Sequence, residues 1–399
     1  MPRDVLRRAV GRLRRVVSGA ASTEPSPGPD PRPLPVLGYV VAGADGAHPA
    51  SAHVRVVRRV EHLVASGRAE ARQVDPEAFV AGTDDTDYAA VLVQRDILPR
   101  PLVDPFTARA VERGIRVIAE VDDDFFTESG RARLARAEYD PDRLASIDAL
   151  VRGADRVVVS TEELAAVVRP IAREVVVVRN ALDPAIWTPD ADADDPDADR
   201  PDSDHPDAHR PDAGRPDADH ADGTRPTDEH RVLYMGTLTH AADLELLRDV
   251  FTDLTAADGT PIRLEVIGVT EETASDWYRR VEVPDGHYPA FSRWLVANRR
   301  RWHAGVAPLR DEEFNRAKSD LKALEYTALG LPAVVSARPS YAVAAQHGVV
   351  AVPDEPGAWR EAVRSAVQRG HADPGAVAWV RSERMVGGDD DRWPDAVLG

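Results

Sequence analysis

The stretch that decides the fold is residues 305–336, which read GVAPLRDEEFNRAKSDLKALEYTALGLPAVVS. The apolar run at 306–309 predicts a short strand, which ends at its proline. Helix-forming residues follow at 319–329 with apolar side chains at helical spacing, and Gly330 stands where a helix commonly ends. Because the run at 333–336 predicts another strand, the stretch is typical of one crossover in a parallel sheet.

Two lysines stand at the predicted start of this helix, where positive charge is unfavourable. Ser319 is the predicted N-cap, and Lys318 and Lys322 flank it. A lysine at this end of a helix costs roughly 0.3–1 kcal/mol, so the pattern predicts an anion bound there. Glu325 falls on the same side of the helix and could hold a lysine or accept hydrogen bonds from ligand hydroxyls. The alternative is a solvated Lys-Glu surface.

This segment resembles the donor-binding signature of GT-B glycosyltransferases, especially retaining enzymes that use nucleotide-sugar donors. The signature has two glutamates with seven residues between them, and the second opens a run that matches Glu-Tyr-Thr-Ala-Leu-Gly-Leu-Pro here. The resemblance implies that Glu325 binds the donor ribose and that Tyr326 belongs to the donor site. The first glutamate would fall at Ala317, so Asp320, Glu313 or a backbone group is expected to replace its contact with the sugar.

A second matching stretch is the apolar run at 232–235, which meets Gly236 and then a predicted helix. It resembles the first strand, loop and helix of a C-terminal GT-B domain, where a glycine lets the backbone approach the diphosphate. The side chains expected to contact phosphate or sugar are Thr237, Thr239 and His240. An ordinary strand-to-helix turn is the alternative. Because this loop carries no Arg or Lys, positive charge must come from Lys318 and Lys322, with Arg316 as a further candidate.

The N-terminal half predicts another series of parallel strands. These strands are predicted at Val36–Val41, Tyr88–Arg95, Gly114–Val121, Asp155–Val159 and Val175–Val178. The loop at 43–51 opens toward the ligand-binding edge if this half is doubly wound. Ser51 and Arg55 are therefore predicted on the acceptor side, where Arg55 could reach an anionic acceptor. A surface position for Arg55 is the alternative.

Three carboxylates, Asp122, Asp123 and Asp124, follow one of these strands at the edge where ligands bind. They could bind Mg²⁺ or Mn²⁺, as the Asp-x-Asp motif of GT-A glycosyltransferases does. They could instead orient an acceptor hydroxyl or act as a base, or they could cap the next helix. We favour acceptor contact, with Asp123 as the catalytic residue and no metal, since the diphosphate-binding signature lies far downstream in a second series.

An acidic, low-complexity tract separates the two series. Residues 189–230 hold fourteen Asp, one Glu and four Arg, which is −11 of the net charge of −18. Such repeats bury too little apolar surface to offset the entropy of ordering, so disorder is predicted. We therefore expect an acceptor domain at 36–187, a disordered linker at 188–230, a donor domain at 231–385 and a tail at 386–399, in which Asp389–Asp391 are solvated. The fold class is α/β, with two Rossmann-like domains facing each other across a cleft.

Residues 1–20 predict a basic amphipathic helix, with seven apolar side chains on one stripe and six arginines elsewhere. Contact with an anionic membrane surface or a partner helix is one interpretation, and docking on its own domain is the other. A Pro-rich linker follows at 21–35.

Composition excludes several classes of site. The chain has no cysteine, which excludes disulfides, thiolate zinc sites and cysteine nucleophiles. There is no apolar run of roughly 18 residues and no apolar segment of a signal peptide, so we expect a cytoplasmic location, at most peripheral to the membrane. The sequence has no basic stripe interleaved with aromatic side chains, so nucleic-acid binding is not expected.

The resemblance implies a glycosyltransferase that moves a sugar from a nucleotide diphosphate donor to a hydroxyl acceptor, such as a glycan or lipid-linked glycan of the cell envelope. It also implies a retaining mechanism and no required cofactor. Lys318, Lys322 and Asp123 are the expected catalytic residues, with the lysines stabilising the departing diphosphate. A catalytically silent GT-B-like module and a metal-dependent GT-A-like transferase using Asp122–Asp124 are the alternatives.

Overall fold

Two parallel sheets form the framework of the chain, and each has helices on both faces. This computed structural model describes residues 33–44, 47–188, 228–272 and 275–399. The predicted N-terminal helix and most of both predicted linkers lie outside the described residues. Among the residues that are described, no helix is both long and apolar enough to cross a bilayer.

The first sheet contains six strands from the N-terminal half. They are β1 Val36–Val40, β2 Glu70–Gln73, β3 Tyr88–Gln94, β4 Arg116–Val121, β5 Arg156–Val159 and β6 Val175–Val177. They pair in parallel in the order β2-β1-β3-β4-β5-β6, so the strand order reverses between β1 and β3. The central strands read as continuous apolar runs because both of their faces are covered. Strand β2 was not predicted, since an edge strand of sequence EARQ has no apolar alternation.

The helices of this half alternate with its strands, and a π-helical segment at His53–Val57 joins α1 to α2. They are α1 Ala50–Ala52, α2 Arg58–Ala65, α3 Pro76–Ala81, α4 Arg100–Glu112, α5 Glu128–Arg136, α6 Pro141–Gly153, α7 Glu162–Val168 and α8 Pro184–Trp187.

The second sheet has the strand order of a Rossmann fold. Its strands are β7 His230–Met235, β8 Ile262–Ile267, β9 Tyr278–Arg280, β10 Ala304–Ala307, β11 Ala333–Ser336 and β12 Val350–Val352. They pair in the order β12-β11-β10-β7-β8-β9, and the order reverses between β7 and β10. Ligands bind at such switch points, outside the carboxyl ends of the strands. The predicted α/β class with two Rossmann-like sheets is confirmed.

The helices of this half flank its sheet, with 3-10 turns at Leu238–His240, Glu245–Leu247, Arg299–Arg301 and Pro339–Tyr341. They are α9 Ala241–Leu244, α10 Arg248–Phe251, α11 Tyr288–Ala297, α12 Glu313–Arg316, α13 Leu321–Ala328, α14 Ala342–Gln346, α15 Pro356–Arg369, α16 Pro374–Glu383 and α17 Trp393–Leu398.

The deciding stretch folds as the predicted crossover, β10-α13-β11, and the helix ends before Gly330, which has a φ of 75°. The predicted N-cap is wrong. Asp320 holds that position without a side-chain capping bond, and α13 begins at Leu321. The Ser319 hydroxyl instead accepts a hydrogen bond of 2.7 Å from Asn180 in the first half.

The C-terminal residues return to the first sheet. In α17, Trp393 and Val397 are buried in one apolar cluster with residues of β1 and β3. Asp391, which precedes this helix, accepts a 2.9 Å hydrogen bond from buried Arg59. Residues 386–399 therefore include a packed helix rather than only a tail, and the expectation that Asp391 is solvated is wrong because its side chain is buried against Arg59.

Gly305 in β10 leaves room for a buried aromatic ring. A Cβ at this position would lie 2.4 Å from Cγ of Tyr326 on α13. We therefore expect Gly305→Ala to lower the free energy of unfolding by roughly 1–3 kcal/mol, because overpacking displaces the ring and the helix. Urea unfolding measures this, with Gly357→Ala as control, since a Cβ there meets nothing within 4 Å. Equal stability of the two variants would contradict this account of the packing.

Candidate functional site

A cavity of about 270 Å³ lies where the carboxyl ends of the two sheets face each other. We call it the central cavity. Eleven of the residues predicted from the sequence line it: Ser51, Arg55, Asp122, Asp123, Gly236, Thr237, His240, Lys318, Ser319, Lys322 and Glu325. Three predicted residues, Asp124, Thr239 and Tyr326, are not part of its lining. Both halves of the chain therefore contribute polar side chains to one site.

Lys318 and Lys322 are the only lysines in the sequence, and both line the central cavity. Lys318 Nζ donates to Asp123 Oδ1 over 2.8 Å, and Lys322 Nζ lies 3.1 Å from His240 Nε2. The lysine ammonium is a compact charged group whose pKa can shift on burial, whereas the arginine guanidinium stays charged. Burial, together with the neighbouring Lys318 charge, lowers the pKa of Lys322 to about 8. An Arg-rich chain thus uses lysine only at this cavity.

His240 links Lys322 to a fixed carboxylate. Its Nδ1 lies 2.8 Å from Asp243 Oδ2, and burial and the Lys322 charge lower the pKa of His240 to about 3. Because an ammonium only donates, His240 Nε2 accepts from Lys322 and Nδ1–H donates to Asp243. The other Asp243 oxygen accepts from Arg310 N and Asn315 Nδ2, at 2.9 and 3.0 Å. The chain of contacts therefore fixes the position of the Lys322 ammonium.

Sequence reasoning missed Asp243. The His-x-x-Asp spacing could have revealed it, since residues three apart are neighbours on one helical turn.

Glu325 lies on α13 one turn after Lys322 and is 6% exposed. Burial raises its pKa to about 8, so the carboxyl group is largely protonated at neutral pH. A neutral carboxyl group can both donate and accept hydrogen bonds, which suits the recognition of hydroxyl groups.

Because Gly236 has no side chain, it leaves room for His240 and Lys322 to lie next to each other. A Cβ here would lie 3.3 Å from His240 Cδ2 and 3.4 Å from Lys322 Cε, which is tight contact with both side chains. Thr237 lines the cavity, whereas the exposed Thr239 hydroxyl is 2.8 Å from that of Thr237 and is not on the wall. Of the threonines proposed as donor ligands, only Thr237 is at the cavity.

Arg95 contacts the carboxylates of Asp122 and Asp123, which lie on the side of the cavity formed by the first half of the chain. No sequence pattern identified this arginine. It lies 3.2 Å from Asp122 Oδ1 and 3.2 Å from Asp123 Oδ2. Although burial raises the pKa of Asp123, the Lys318 and Arg95 charges lower it to about 2. Arg95 has a φ of 52°, in the left-handed region that non-glycine residues rarely adopt. Such strain clusters at functional sites.

Asp124 has a different role from its two neighbours. Its Oδ1 accepts hydrogen bonds of 3.0 Å from both Phe126 N and Thr127 N, next to the start of α5. The Asp124 carboxylate is thus engaged in the loop before α5, off the cavity wall, and the N-cap of that helix is Thr127. Within the described ranges, no cluster of three or more acidic or histidine side chains is arranged to hold a metal ion.

Tyr326 is a core residue rather than a donor ligand. Its hydroxyl donates to Val306 O and accepts from Met235 N, both at 3.1 Å, and the side chain is fully buried. It packs α13 onto the sheet and so positions Glu325.

The acidic candidates for the missing glutamate are not on the cavity wall. Asp320 accepts two hydrogen bonds from Arg384, at 2.6 and 2.8 Å, and Glu313 is exposed. Ala317 packs into the apolar core of the first half, and its carbonyl accepts from Thr161 over 2.9 Å. The sugar contact assigned to the first glutamate is thus not taken over by Asp320 or Glu313.

Arg55 is buried, so the surface alternative for it is wrong. Its Nε donates to Glu120 over 2.6 Å, and its Nη1 donates to Val178 O and Asn180 Oδ1, both at 2.8 Å. The contact with Glu120 reduces the charge that Arg55 offers to an anionic acceptor, but its buried Nη2 has no hydrogen-bond partner among the described residues. Its role is to hold Asn180, which in turn donates to Ser319 across the cavity.

Comparison with known proteins gives matches at the level of structure. No family model and no curated protein matches this chain. The N-terminal domain of Candida albicans trehalose-6-phosphate phosphatase has a similar structure, with a TM-score of 0.52 and 10% identity over 92% of this chain and 96% of that one. The glycosyltransferase WaaG is described as involved in lipopolysaccharide biosynthesis. Its structure matches 90% of this chain and 97% of its own chain at 11% identity.

The WaaG match has a TM-score of 0.44, which is too low to establish a common fold. The Candida albicans match and the strand orders of both sheets support the fold itself. The chain therefore has a GT-B-like fold, with two Rossmann-like sheets that face each other across the central cavity.

Proposed function

We propose that the chain is a glycosyltransferase that moves a sugar from a nucleotide diphosphate donor to a hydroxyl acceptor. The supporting observation is the convergence of Lys318 and Lys322 at the central cavity, beside the Gly236 loop. Two ammonium groups and a glycine-bearing strand end suit a diphosphate. The match of Glu325 and the residues after it to the donor-binding signature supports a nucleotide sugar as the donor.

The reaction forms one bond to the anomeric carbon of the sugar and breaks another. The acceptor hydroxyl oxygen bonds to the anomeric carbon, and the bond from that carbon to the diphosphate oxygen breaks with its electron pair going to the diphosphate. Lys318 and Lys322 stabilise the negative charge that develops there. The hydroxyl proton goes to the departing diphosphate, because a phosphate oxygen with a pKa near 6 is a better base than a paired aspartate. Asp123, which Arg95 also contacts, orients the hydroxyl.

The more specific expectations from the sequence remain predictions. They are a retaining mechanism, transfer of a hexose, a glycan or lipid-linked acceptor of the cell envelope, no required metal, and a cytoplasmic location peripheral to the membrane. The pairing of Asp122 and Asp123 with Arg95 and Lys318 argues against the metal-dependent alternative, because protein cations already neutralise these carboxylates.

A second candidate is a non-catalytic module that binds nucleotide sugars. The observation that favours it is Ala317 in place of the first signature glutamate. Such a module would bind the donor but would neither transfer nor hydrolyse its sugar.

A thermal-shift screen against nucleotide sugars and nucleoside diphosphates tests the proposal. A ligand that binds only the folded protein raises its melting temperature by mass action. We expect at least one nucleotide sugar to do so, and Lys318→Ala to remove the shift. Arg316→Ala is the matched control, because Arg316 is exposed and pairs with Asp311 away from the cavity wall. Sugar release from the stabilising donor then separates a transferase from a silent module. No shift with any nucleoside diphosphate would contradict the proposal.

Affinity for a nucleoside diphosphate should fall at alkaline pH. The diphosphate favours protonated Lys322, whose pKa is about 8 without ligand. Raising the pH above this value removes the charge, so affinity should fall by up to about tenfold per pH unit. Calorimetric titration at several pH values measures the effect.

The control for this pH dependence is Lys322→Arg, because a guanidinium stays charged throughout the range. If that variant binds, its affinity should fall less steeply near pH 8 than that of the wild type, and any remaining fall reports the ionisation of Glu325, whose pKa is also about 8. An equally steep fall in the variant would assign the pH dependence to another group.

A further inference from the structure

Lys318 and Asp123 join the two halves of the chain across the central cavity. Their Nζ and Oδ1 atoms are 2.8 Å apart, and the side chains are 15% and 26% exposed. The pair is therefore shielded from water on most sides, which makes its charge interaction stronger than that of a surface pair. The same Lys318 ammonium is assigned above to the donor diphosphate.

The second oxygen of Asp123 has its own partner. Asp123 Oδ2 lies 3.2 Å from Arg95 Nη2, and the Arg95 guanidinium also stacks 4.8 Å above the ring of Phe125. Loss of the Lys318 contact would therefore leave Asp123 anchored through Arg95. Its Oδ1 would then be an unpaired acceptor on the wall of the cavity.

Two neighbours already contact the Lys318 ammonium, which leaves one of its three N–H donors for a second anion. Its Nζ lies 4.7 Å from the ring centroid of Phe314, so the aromatic face covers one side of the ammonium, and Asp123 occupies another. A diphosphate placed against the same ammonium would lie close to the Asp123 carboxylate and repel it. Because a diphosphate carries more charge than one carboxylate, it would displace Asp123 rather than share Lys318 with it.

We propose that the donor diphosphate and Asp123 exchange on Lys318, so that donor binding releases Asp123 Oδ1 to accept a hydrogen bond from the acceptor hydroxyl. This inference depends on the proposed function. Asp123 is therefore a positioning residue. It accepts a hydrogen bond from Lys318 until the donor binds. Asp123 can orient the acceptor hydroxyl only after donor binding, so the donor binds first.

The same geometry indicates the class of acceptor. Besides Asp123, the wall beside it carries Asp122 and the hydroxyl of Ser51, which lies 3.5 Å from Arg95 Nη1. A hydroxyl and carboxylates accept hydrogen bonds, which suits the hydroxyl groups of a polyol. The wall beside Asp123 therefore suits a polyol acceptor.

Calorimetric titration with inorganic pyrophosphate tests the exchange without requiring the identity of the nucleoside. Asp123→Asn removes the competing charge, so pyrophosphate should bind about tenfold more tightly than to the wild type. Asp122→Asn is the matched control, because Asp122 pairs with Arg95 and not with Lys318. In the Lys318→Ala background, Asp123→Asn should give no gain. Unchanged or weaker binding to Asp123→Asn, or the same gain without Lys318, would overturn the exchange.

A second arm of the same experiment separates the exchange from the proposed function. Nucleoside diphosphates should bind more tightly than pyrophosphate, and Asp123→Asn should improve their binding as well. If they bind wild type and Asp123→Asn equally, the exchange fails and the transferase proposal stands. If no nucleoside diphosphate binds any variant, both fail. With the cognate donor and acceptor, Asp123→Asn should raise the KM for the acceptor while it lowers the Kd for the donor.

Discussion

Lys318→Ala is expected to lower kcat/KM for sugar transfer by about 10²–10³, the usual cost of removing one group that stabilises a developing anion. The lysine lines the central cavity, and its ammonium is 2.8 Å from the Asp123 carboxylate that stands where an anionic ligand would bind. Initial rates with the donor identified by the screen, together with the Kd for the nucleoside diphosphate, measure the effect.

Two variants make this result specific. Lys318→Arg keeps the charge but changes its shape, so it should retain part of the diphosphate affinity that Lys318→Ala loses. Arg316→Ala removes an exposed cation of the same segment, which pairs with Asp311, and should leave the rates close to wild type. Comparable losses in Arg316→Ala and Lys318→Ala would mean that general charge, and not the cavity lysine, supports the activity.

Arg384→Ala is expected to lower the free energy of unfolding by about 3–5 kcal/mol, the range for removing one partner of a buried ion pair. The side chains of Arg384 and Asp320 are 2% and 9% exposed, and the guanidinium also donates to Asn180 O at 2.9 and 3.1 Å. Its loss would leave Asp320 charged and buried immediately before α13. Urea unfolding followed by circular dichroism measures the change.

The control for this variant is Arg392→Ala. Arg392 pairs with Asp390, but its side chain is 73% exposed, so its removal should have little effect. Adding Asp320→Asn to Arg384→Ala should recover part of the lost stability, because the unpaired buried charge is then absent. A small effect of Arg384→Ala alone would show that Asp320 is satisfied by other groups.

The sequence predicted the crossover β10-α13-β11 correctly because its signals are local. Apolar runs define both strands, and Gly330 with its φ of 75° ends the helix between them. The strand that leads into Gly236 was predicted for the same reason. The two lysines were identified because positive charge at a helix start conflicts with the helix dipole, and such a local conflict indicates function.

The errors concern contacts between distant parts of the chain. Ser319 was predicted to cap α13, but Asn180, far away in sequence, donates to its hydroxyl instead. Arg95 was missed because neither its positive φ nor its contacts with Asp122 and Asp123 can be read from its neighbours in sequence. The burial of Trp393 against the first sheet depends on how the chain returns there, which local periodicity does not record.

The central claim, that both lysines bind the donor diphosphate, can be tested most directly by lysine labelling. Because Lys318 and Lys322 are the only lysines in the sequence, reductive methylation followed by peptide mapping reports on this cavity and on the α-amino group alone. We expect a saturating nucleoside diphosphate to protect both lysines and to leave labelling of the α-amino group unchanged. Equal labelling of the two lysines with and without that ligand would contradict the account.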